Sequence, residues 1–152
     1  MLEFISLFRY LYPSKQIPMQ KVFFLSLFSL FLFLGTQAQS VYYKGSRIAE
    51  IEKDGDVYIN GSRVGQIEAD GDVYKNGSRI GQIEDDGDIY LNGSRVGQIE
   101  DDGDVYKNGS RIGQIEDDGD VYYKGSRIGE GKYIRKEWLA AFFFFFFYQD
   151  KI

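Results

Sequence analysis

The chain has 152 residues, contains no histidine and no cysteine, and carries a formal net charge of −5 at pH 7. The missing residue types exclude disulfide bonds, thiol chemistry and histidine-based catalysis or metal binding. The negative charge disfavours nucleic acid and anionic membranes as partners, and no residue pattern predicts a cofactor.

The first element in chain order is a predicted export signal. Met19 and Lys21 form a short basic start, residues 22–35 form an apolar run, and Thr36-Gln37-Ala38 supplies the small residues that a signal peptidase recognises. We expect residues 19–38 to be a signal peptide cleaved after Ala38, and residues 1–18 to be an upstream over-extension of the reading frame. The apolar run is shorter than the roughly 20 residues of a spanning helix. The mature chain is therefore expected without a stable membrane span, in the periplasm, at the cell surface or secreted.

A 16-residue unit recurs across residues 41–130. Its complete copies are 46–61, 62–77, 78–93, 94–109 and 110–125, and the half-units 41–45 and 126–130 flank them. Each copy reads close to SRIGQIEDDGDVYKNG. A repeat at a fixed period determines the architecture, because each copy must adopt a similar local structure.

Each unit predicts a β-hairpin. In residues 57–73, a short strand is followed by Asn60-Gly61, a dipeptide typical of type I′ turns, then by a return strand and an Asp-Gly turn. Val64 and Ile67 are three residues apart, so either this strand is buried on both faces or a bulge at Gly65 turns both side chains inward. The first strand of each hairpin contains a β-branched residue that we expect in the core: Val41, Val57, Val73, Ile89, Val105 and Val121. The position two residues later varies freely, which indicates solvent exposure.

A single hairpin of this size is not stable in water, so the units must share a core. The octapeptide VYYKGSRI occurs at both ends of the repeat region, at 41–48 and at 121–128. Identical ends favour a closed ring in which the first half-unit pairs near the last. Five complete units and two halves leave open whether such a ring has five or six hairpins.

The C-terminal region, residues 131–152, holds a second apolar segment. Trp138–Tyr148 contains six consecutive phenylalanines, Phe142–Phe147, and is apolar on every face. A helix of this kind is buried, and as a helix it would reach only about 16 Å, too short for a membrane. We expect the segment, in helical form, to fill the middle of the ring, although the sequence leaves a strand open.

Tandem units of this type, an export signal, and a tryptophan followed by AAFFFFFF resemble the five-fold β-flower proteins, which are small exported bacterial proteins. The resemblance covers about residues 41–148. It implies short β-hairpins arranged as petals around an axis. It carries no activity and no functional residue over to this chain.

The candidate binding residues are one arginine and one tyrosine in each copy. A circle of guanidinium groups favours an anion or a sugar acid, and a circle of aromatic rings favours stacking on sugars. The alternative is structural, with arginines paired across strands to glutamates or turn aspartates and tyrosines serving as ordinary strand residues. The arginines are Arg47, Arg63, Arg79, Arg95, Arg111 and Arg127, and the tyrosines are Tyr42, Tyr58, Tyr74, Tyr90, Tyr106 and Tyr122.

The repeated Asp-Gly turns offer many carboxylates, which suit calcium. However, the spacing of an EF-hand is absent, and Asp-Gly is also ordinary turn chemistry. No catalytic residue is assigned, because near-identical units give near-equivalent sites rather than one asymmetric constellation. The sequence thus predicts an all-β repeat module that is not an enzyme and that binds a glycan or an envelope protein, or serves a structural role at the cell envelope. The alternatives are a calcium-dependent assembly module and, more remotely, a carboxylate-based glycoside hydrolase.

Overall fold

A computed structural model describes residues 38–152. The predicted upstream over-extension (1–18) and all of the predicted signal peptide except Ala38 lie outside the described residues. The described residues form twelve short strands, followed by helical segments. The strands are β1 (Gln39–Tyr43), β2 (Ser46–Ile51), β3 (Asp56–Ile59), β4 (Ser62–Ile67), β5 (Asp72–Lys75), β6 (Ser78–Ile83), β7 (Asp88–Leu91), β8 (Ser94–Ile99), β9 (Asp104–Lys107), β10 (Ser110–Ile115), β11 (Asp120–Tyr123) and β12 (Ser126–Glu130).

The strands form a closed antiparallel barrel. Each strand pairs with its neighbours in the sequence, and β1 pairs with β12 through Tyr42 opposite Glu130 and Tyr43 opposite Gly129. This pairing joins the two half-units, so residues 38–152 form six hairpins and the question of five or six is answered. Closure also removes the free sheet edges that an open array of short hairpins would expose.

The Asn-Gly turns have the predicted type I′ conformation. Asn60 and Gly61 have φ values of 51° and 76°, and the other Asn-Gly pairs are alike. In the first and last hairpins Lys44 and Lys124 take the asparagine's place, with φ values of 48° and 49°. These lysines adopt the left-handed conformation because the turn geometry requires it.

A β-bulge lies at the start of each return strand. In the second hairpin, Val57 pairs with Gly65 and Tyr58 pairs with Arg63, so Val64 is the extra residue. The same register shift recurs in the other five hairpins. The bulge alternative is therefore correct, and it lies one residue before the glycine. Because of the bulge, both side chains turn inward: Val64 packs against the core while partly buried, and Ile67 is fully buried in it.

The barrel interior is apolar. All six β-branched residues predicted for the core, including Val57 and Ile89, are fully buried. The isoleucine near the end of each of the first five return strands, such as Ile51 and Ile67, joins them. Along each strand these buried residues alternate with residues that face outward, because successive side chains of a β-strand point to opposite faces.

The C-terminal segment is helical and fills the barrel, as predicted. Helix α1 (Lys136–Ala140) continues into a π-helix (Ala141–Phe146), and a 3₁₀ turn (Gln149–Lys151) follows. Every side chain from Trp138 to Phe146 is buried, which places the tail on the barrel axis.

Consecutive phenylalanines meet consecutive hairpins at a glycine. A Cβ atom on Gly113 would lie 2.8 Å from the Phe144 ring, and one on Gly97 would lie 2.5 Å from the Phe145 ring. The ring approaches the strand this closely only because the glycine has no side chain. Going along the tail, the pairs are Phe143 with Gly129, Phe144 with Gly113, Phe145 with Gly97, Phe146 with Gly81 and Phe147 with Gly65.

The first hairpin differs, since the buried residue Ala49 occupies the glycine position. In five of the six hairpins, therefore, a phenylalanine ring packs against a glycine, and these five contacts are called the glycine sockets. Phe142 meets none of these glycines and stacks on Phe147 and Tyr148, with centroid distances of 6.0 and 5.8 Å. Tyr148 in turn contacts Tyr43 of the first hairpin, at 5.2 Å between centroids.

The π-helix matches the spacing of the hairpins. An α-helix turns about 100° per residue, whereas six evenly placed hairpins stand about 60° apart. The wider i→i+5 helix turns less per residue and brings successive side chains nearer to this step. Its last turn is wider still, because the Phe142 carbonyl accepts the N–H groups of both Phe147 and Tyr148.

The position that varies freely among the repeats does not face solvent, so that expectation was wrong. Lys75 Nζ donates to the Phe146 carbonyl at 2.9 Å, and Lys107 Nζ donates to the Phe144 carbonyl at 3.0 Å. At the same position Ile59 and Leu91 pack against the core. The position varies because each hairpin meets a different part of an axial helix that has no repeat symmetry.

Candidate functional site

The twelve candidate arginines and tyrosines lie on the outer wall of the barrel. Within each hairpin the tyrosine pairs in register with the arginine, as Tyr58 does with Arg63. The tyrosine side chains are half-buried, and the arginine side chains are about half exposed, at 45% for Arg63. Alternation along the strands places both residue types outside because Val57 and Gly65 face the core.

Five of the arginines bind an aspartate at the end of the preceding Asp-Gly turn. Arg63 and Asp56 are 2.5 Å apart, and Arg79 and Asp72 are 2.6 Å apart. The other pairs are Arg95 with Asp88, Arg111 with Asp104 and Arg127 with Asp120. The cross-strand pairing that the sequence set beside ligand binding is thus present, while ligand binding by these arginines stays a prediction.

In the last hairpin, the ion pair between Arg127 and Asp120 shifts the pKa of both residues. The hydrogen bond from Arg127 lowers the pKa of Asp120 below its usual range, and the same bond raises the pKa of Arg127. Glu130 also contacts Arg127, at 2.8 Å. In the first hairpin Ser40 occupies the position of the aspartate, and Arg47 pairs with Glu50 instead.

The glutamines of the return strands complete this network, although sequence reasoning did not single them out. Gln66 Oε1 accepts a hydrogen bond from Arg63 at 3.1 Å, and its amide donates to the Asp54 carbonyl at 3.2 Å. Gln82 and Gln98 accept from their arginines in the same way. The signal was available, because glutamine recurs at this position in the four middle copies.

A groove runs between neighbouring hairpins on the outer wall. Between the first two hairpins its volume is about 350 Å³, and its lining includes Arg47, Glu50, Tyr58 and Asn60. Equivalent grooves of about 150 and 310 Å³ lie further round the barrel. Each brings the arginine of one hairpin together with the tyrosine of the next, so the candidate residues do converge on repeated sites.

Burial and neighbouring glutamates raise the pKa of three of the six candidate tyrosines. Burial and the charge of Glu52 raise the pKa of Tyr58, and the charge of Glu84 followed by burial raises the pKa of Tyr90. Glu100 has the same effect on the pKa of Tyr106. These three phenols therefore keep a hydrogen-bond donor beside the aromatic face.

In each Asp-Gly turn the aspartate before the glycine stabilises the turn by accepting a hydrogen bond from the backbone. Asp70 Oδ1 accepts the backbone N–H of Asp72 at 3.2 Å, and the other four turns repeat this bond. In two of them the carboxylates cluster closely enough to hold a metal ion, as Glu68, Asp70 and Asp72 do. Because Asp72 already binds Arg79, a calcium ion would compete with an ion pair at that carboxylate.

A further cleft lies where β12 meets β1, at the seam of the barrel. It has a volume of about 590 Å³, and its lining includes Tyr42, Lys53, Lys132 and Tyr133. Sequence reasoning missed this site, because Lys132 and Tyr133 follow the last repeat and Lys53 replaces an aspartate or alanine of the other turns. The sequence signal that could have revealed the site is the departure of these residues from the repeat pattern.

The fold and these surfaces define a class: a closed barrel of tandem hairpins, plugged by its own C-terminal helix, with repeated grooves outside. A sequence model of the 5-fold β-flower protein family matches residues 38–147, and the chain belongs to that family. The family has no known function and no known enzymatic activity. No curated protein and no solved structure matches the chain. Among residues 38–152, no helix is long and apolar enough to cross a membrane.

Proposed function

We propose that the chain is an exported, non-enzymatic binding module that takes a glycan in the grooves of its outer wall. The observation that supports this most is the repetition of one groove, in which a tyrosine stands beside an arginine and amide groups. Aromatic faces flanked by hydrogen-bonding groups suit the alternating apolar and hydroxyl surfaces of sugars.

Repetition favours an extended ligand. A polymer that contacts several weak sites gains affinity by multivalency, without any single strong site. Catalysis instead requires one constellation of groups with distinct roles. The near-equivalent grooves therefore support binding over hydrolysis.

A glycan array tests the proposal, with the protein purified after expression of the full chain. We expect binding to polysaccharides that exceeds binding to their monosaccharides. The double variant Tyr58→Ala, Tyr106→Ala should lower this binding, whereas Asp85→Ser with Asp101→Ser, at exposed turn positions, should not. Release of reducing sugar would overturn the non-enzymatic assignment, and absence of any glycan signal would overturn the ligand class.

Two further measurements address export and calcium. N-terminal sequencing of the protein recovered outside the cytoplasm should give Gln39 as the first residue. Repeating the array with calcium and with a chelator separates glycan binding from the alternative of calcium-dependent assembly. Binding or self-association that requires calcium would favour the Asp-Gly turns as the functional site.

A further inference from the structure

The seam cleft is the place where the repeat pattern of the barrel is broken. At every other junction between neighbouring hairpins, an Asp-Gly turn connects the strands and adds acidic residues. Strands β12 and β1 pair without such a turn, because they are the two ends of the repeat region. Ser40 accordingly stands where Asp56 and its equivalents stand in the other hairpins.

The local charge is reversed as a result. Two lysines, Lys53 and Lys132, line the cleft, and Glu130 is its one acidic lining residue. Glu130 is held by Arg127 at 2.8 Å. Within residues 38–152, neither lysine forms an ion pair with a carboxylate. The cleft therefore offers two cations without an ion-pair partner in residues 38–152, although the charge of Lys132, after that of Arg127, helps to lower the pKa of Asp120.

Two aromatic rings accompany the lysines. Tyr42 lies on the wall of the cleft and Tyr133 on its rim. Tyr133 is 91% exposed, in contrast to the other large apolar and aromatic side chains of residues 38–152, which are buried or half-buried. Its carbonyl accepts a hydrogen bond from Gln39 Nε2 at 2.5 Å, which ties the segment after β12 to the first strand.

Tyr133 is also held in an unfavourable backbone conformation. Its φ is 65°, in the left-handed region that glycine or asparagine would adopt more readily. A residue that costs stability and contributes little packing points to a role other than folding.

We infer that the seam cleft binds a carboxylated sugar residue, such as a uronic acid. The lysines would pair with the carboxylate by charge-assisted hydrogen bonds, and the tyrosine faces would pack on the pyranose ring. Ser40 and Gln39 supply hydroxyl and amide groups for the sugar hydroxyls. The inference does not depend on the outer grooves, because neither lysine lies in them.

The test titrates the purified protein with a galacturonate trisaccharide by calorimetry. The matched ligands are its methyl ester, which keeps the rings and loses the charge, and triglutamate, which keeps the charge and lacks the rings. We expect the acid to bind and both controls to bind at least about tenfold more weakly. Failure of the trisaccharide to bind, or equal binding of triglutamate, overturns the proposal.

Two protein variants locate the site. Lys53→Met with Lys132→Met should weaken binding of the acid by about tenfold, while Lys44→Met with Lys151→Met, which removes two exposed charges at the opposite end, should leave it unchanged. Equal losses in both double variants would show attraction by overall charge and overturn the inference. Glycan-array binding that survives the seam variant would leave the proposed function of the outer grooves intact.

Tyr133→Gly separates binding from folding. Glycine accepts the observed φ, so the variant should melt about 4 °C higher than the parent. It should nevertheless bind the trisaccharide more weakly, because a ring is lost. An unchanged affinity in this variant would contradict the assignment of Tyr133 to the site.

Discussion

The Phe145 ring lies against the backbone of Gly97, so that a Cβ atom on Gly97 would stand 2.5 Å from Phe145 Cε1 and 2.3 Å from the Tyr106 carbonyl oxygen. Because Gly97 has no side chain, the Phe145 ring can pack directly against the strand backbone. Four other glycines repeat this relationship around the axis.

Gly97→Ala is expected to lower the free energy of unfolding by about 2–3 kcal/mol, because both the ring and the neighbouring strand must shift. Urea denaturation measures the change. Gly93→Ala is the matched control, since it meets no atom within 4 Å at its turn position and bears only the cost of a positive φ of 78°. Equal effects of the two substitutions would contradict the socket interpretation.

Removal of residues 138–152 is expected to abolish cooperative unfolding. The hairpins would lose the buried surface of nine side chains, Trp138 to Phe146, and short hairpins do not persist alone. Circular dichroism during heating detects the loss. Removal of residues 149–152 alone should leave a cooperative transition, and a longer truncation that melts at the parent temperature would refute the axial role of the tail.

Lys107→Met is expected to destabilise the protein by about 1.5 kcal/mol. The ammonium group donates to the Phe144 carbonyl and to Gln149 Oε1 at 2.9 Å, and methionine would leave the carbonyl unpaired near the apolar axis. Lys124→Met, at an exposed turn, should change stability little. The comparison by denaturant titration shows whether the variable repeat position supports the helix.

Lys44→Asn and Lys124→Asn are expected to stabilise the protein by about 0.5 kcal/mol each, because asparagine tolerates the left-handed conformation better than lysine does. The reverse change, Asn60→Lys, should cost a similar amount. Thermal melting of the three variants provides the measurement. A destabilising effect of both asparagine substitutions would mean that the lysines make contacts that outweigh backbone strain.

Acidification is expected to weaken the barrel through Asp120. Arg127 lowers the pKa of Asp120 in the folded state, so its contribution to stability is present above the ordinary value of 3.8 and is lost as the pH falls through the lower folded value. Asp120→Asn should therefore be less stable than the parent at about pH 6, and the difference should shrink as the pH falls below 3.8. A difference for Asp120→Asn that persists unchanged at low pH would contradict the assignment.

Much of the local structure followed from the sequence alone. The period of the repeat, the type I′ turns at Asn60-Gly61, the buried position of Val57 and the helical tail were all predicted, because they depend on local conformational preference and on patterns of polarity. Arg63 and Tyr58 were identified as candidates because each recurs once in every copy. The pairing of the arginines with turn aspartates stood among the alternatives.

Only the tertiary structure decided what depends on contacts between distant residues. The closure of β1 on β12 set the number of hairpins at six. The axial helix gave Gly97 a phenylalanine neighbour and turned Lys107 inward. Comparison of the repeats with one another had suggested that the position of Lys107 is exposed to solvent, because its residue type varies from copy to copy. The seam cleft arose in the same way, because Lys53, Lys132 and Tyr133 meet only when the two ends of the repeat are brought together in space.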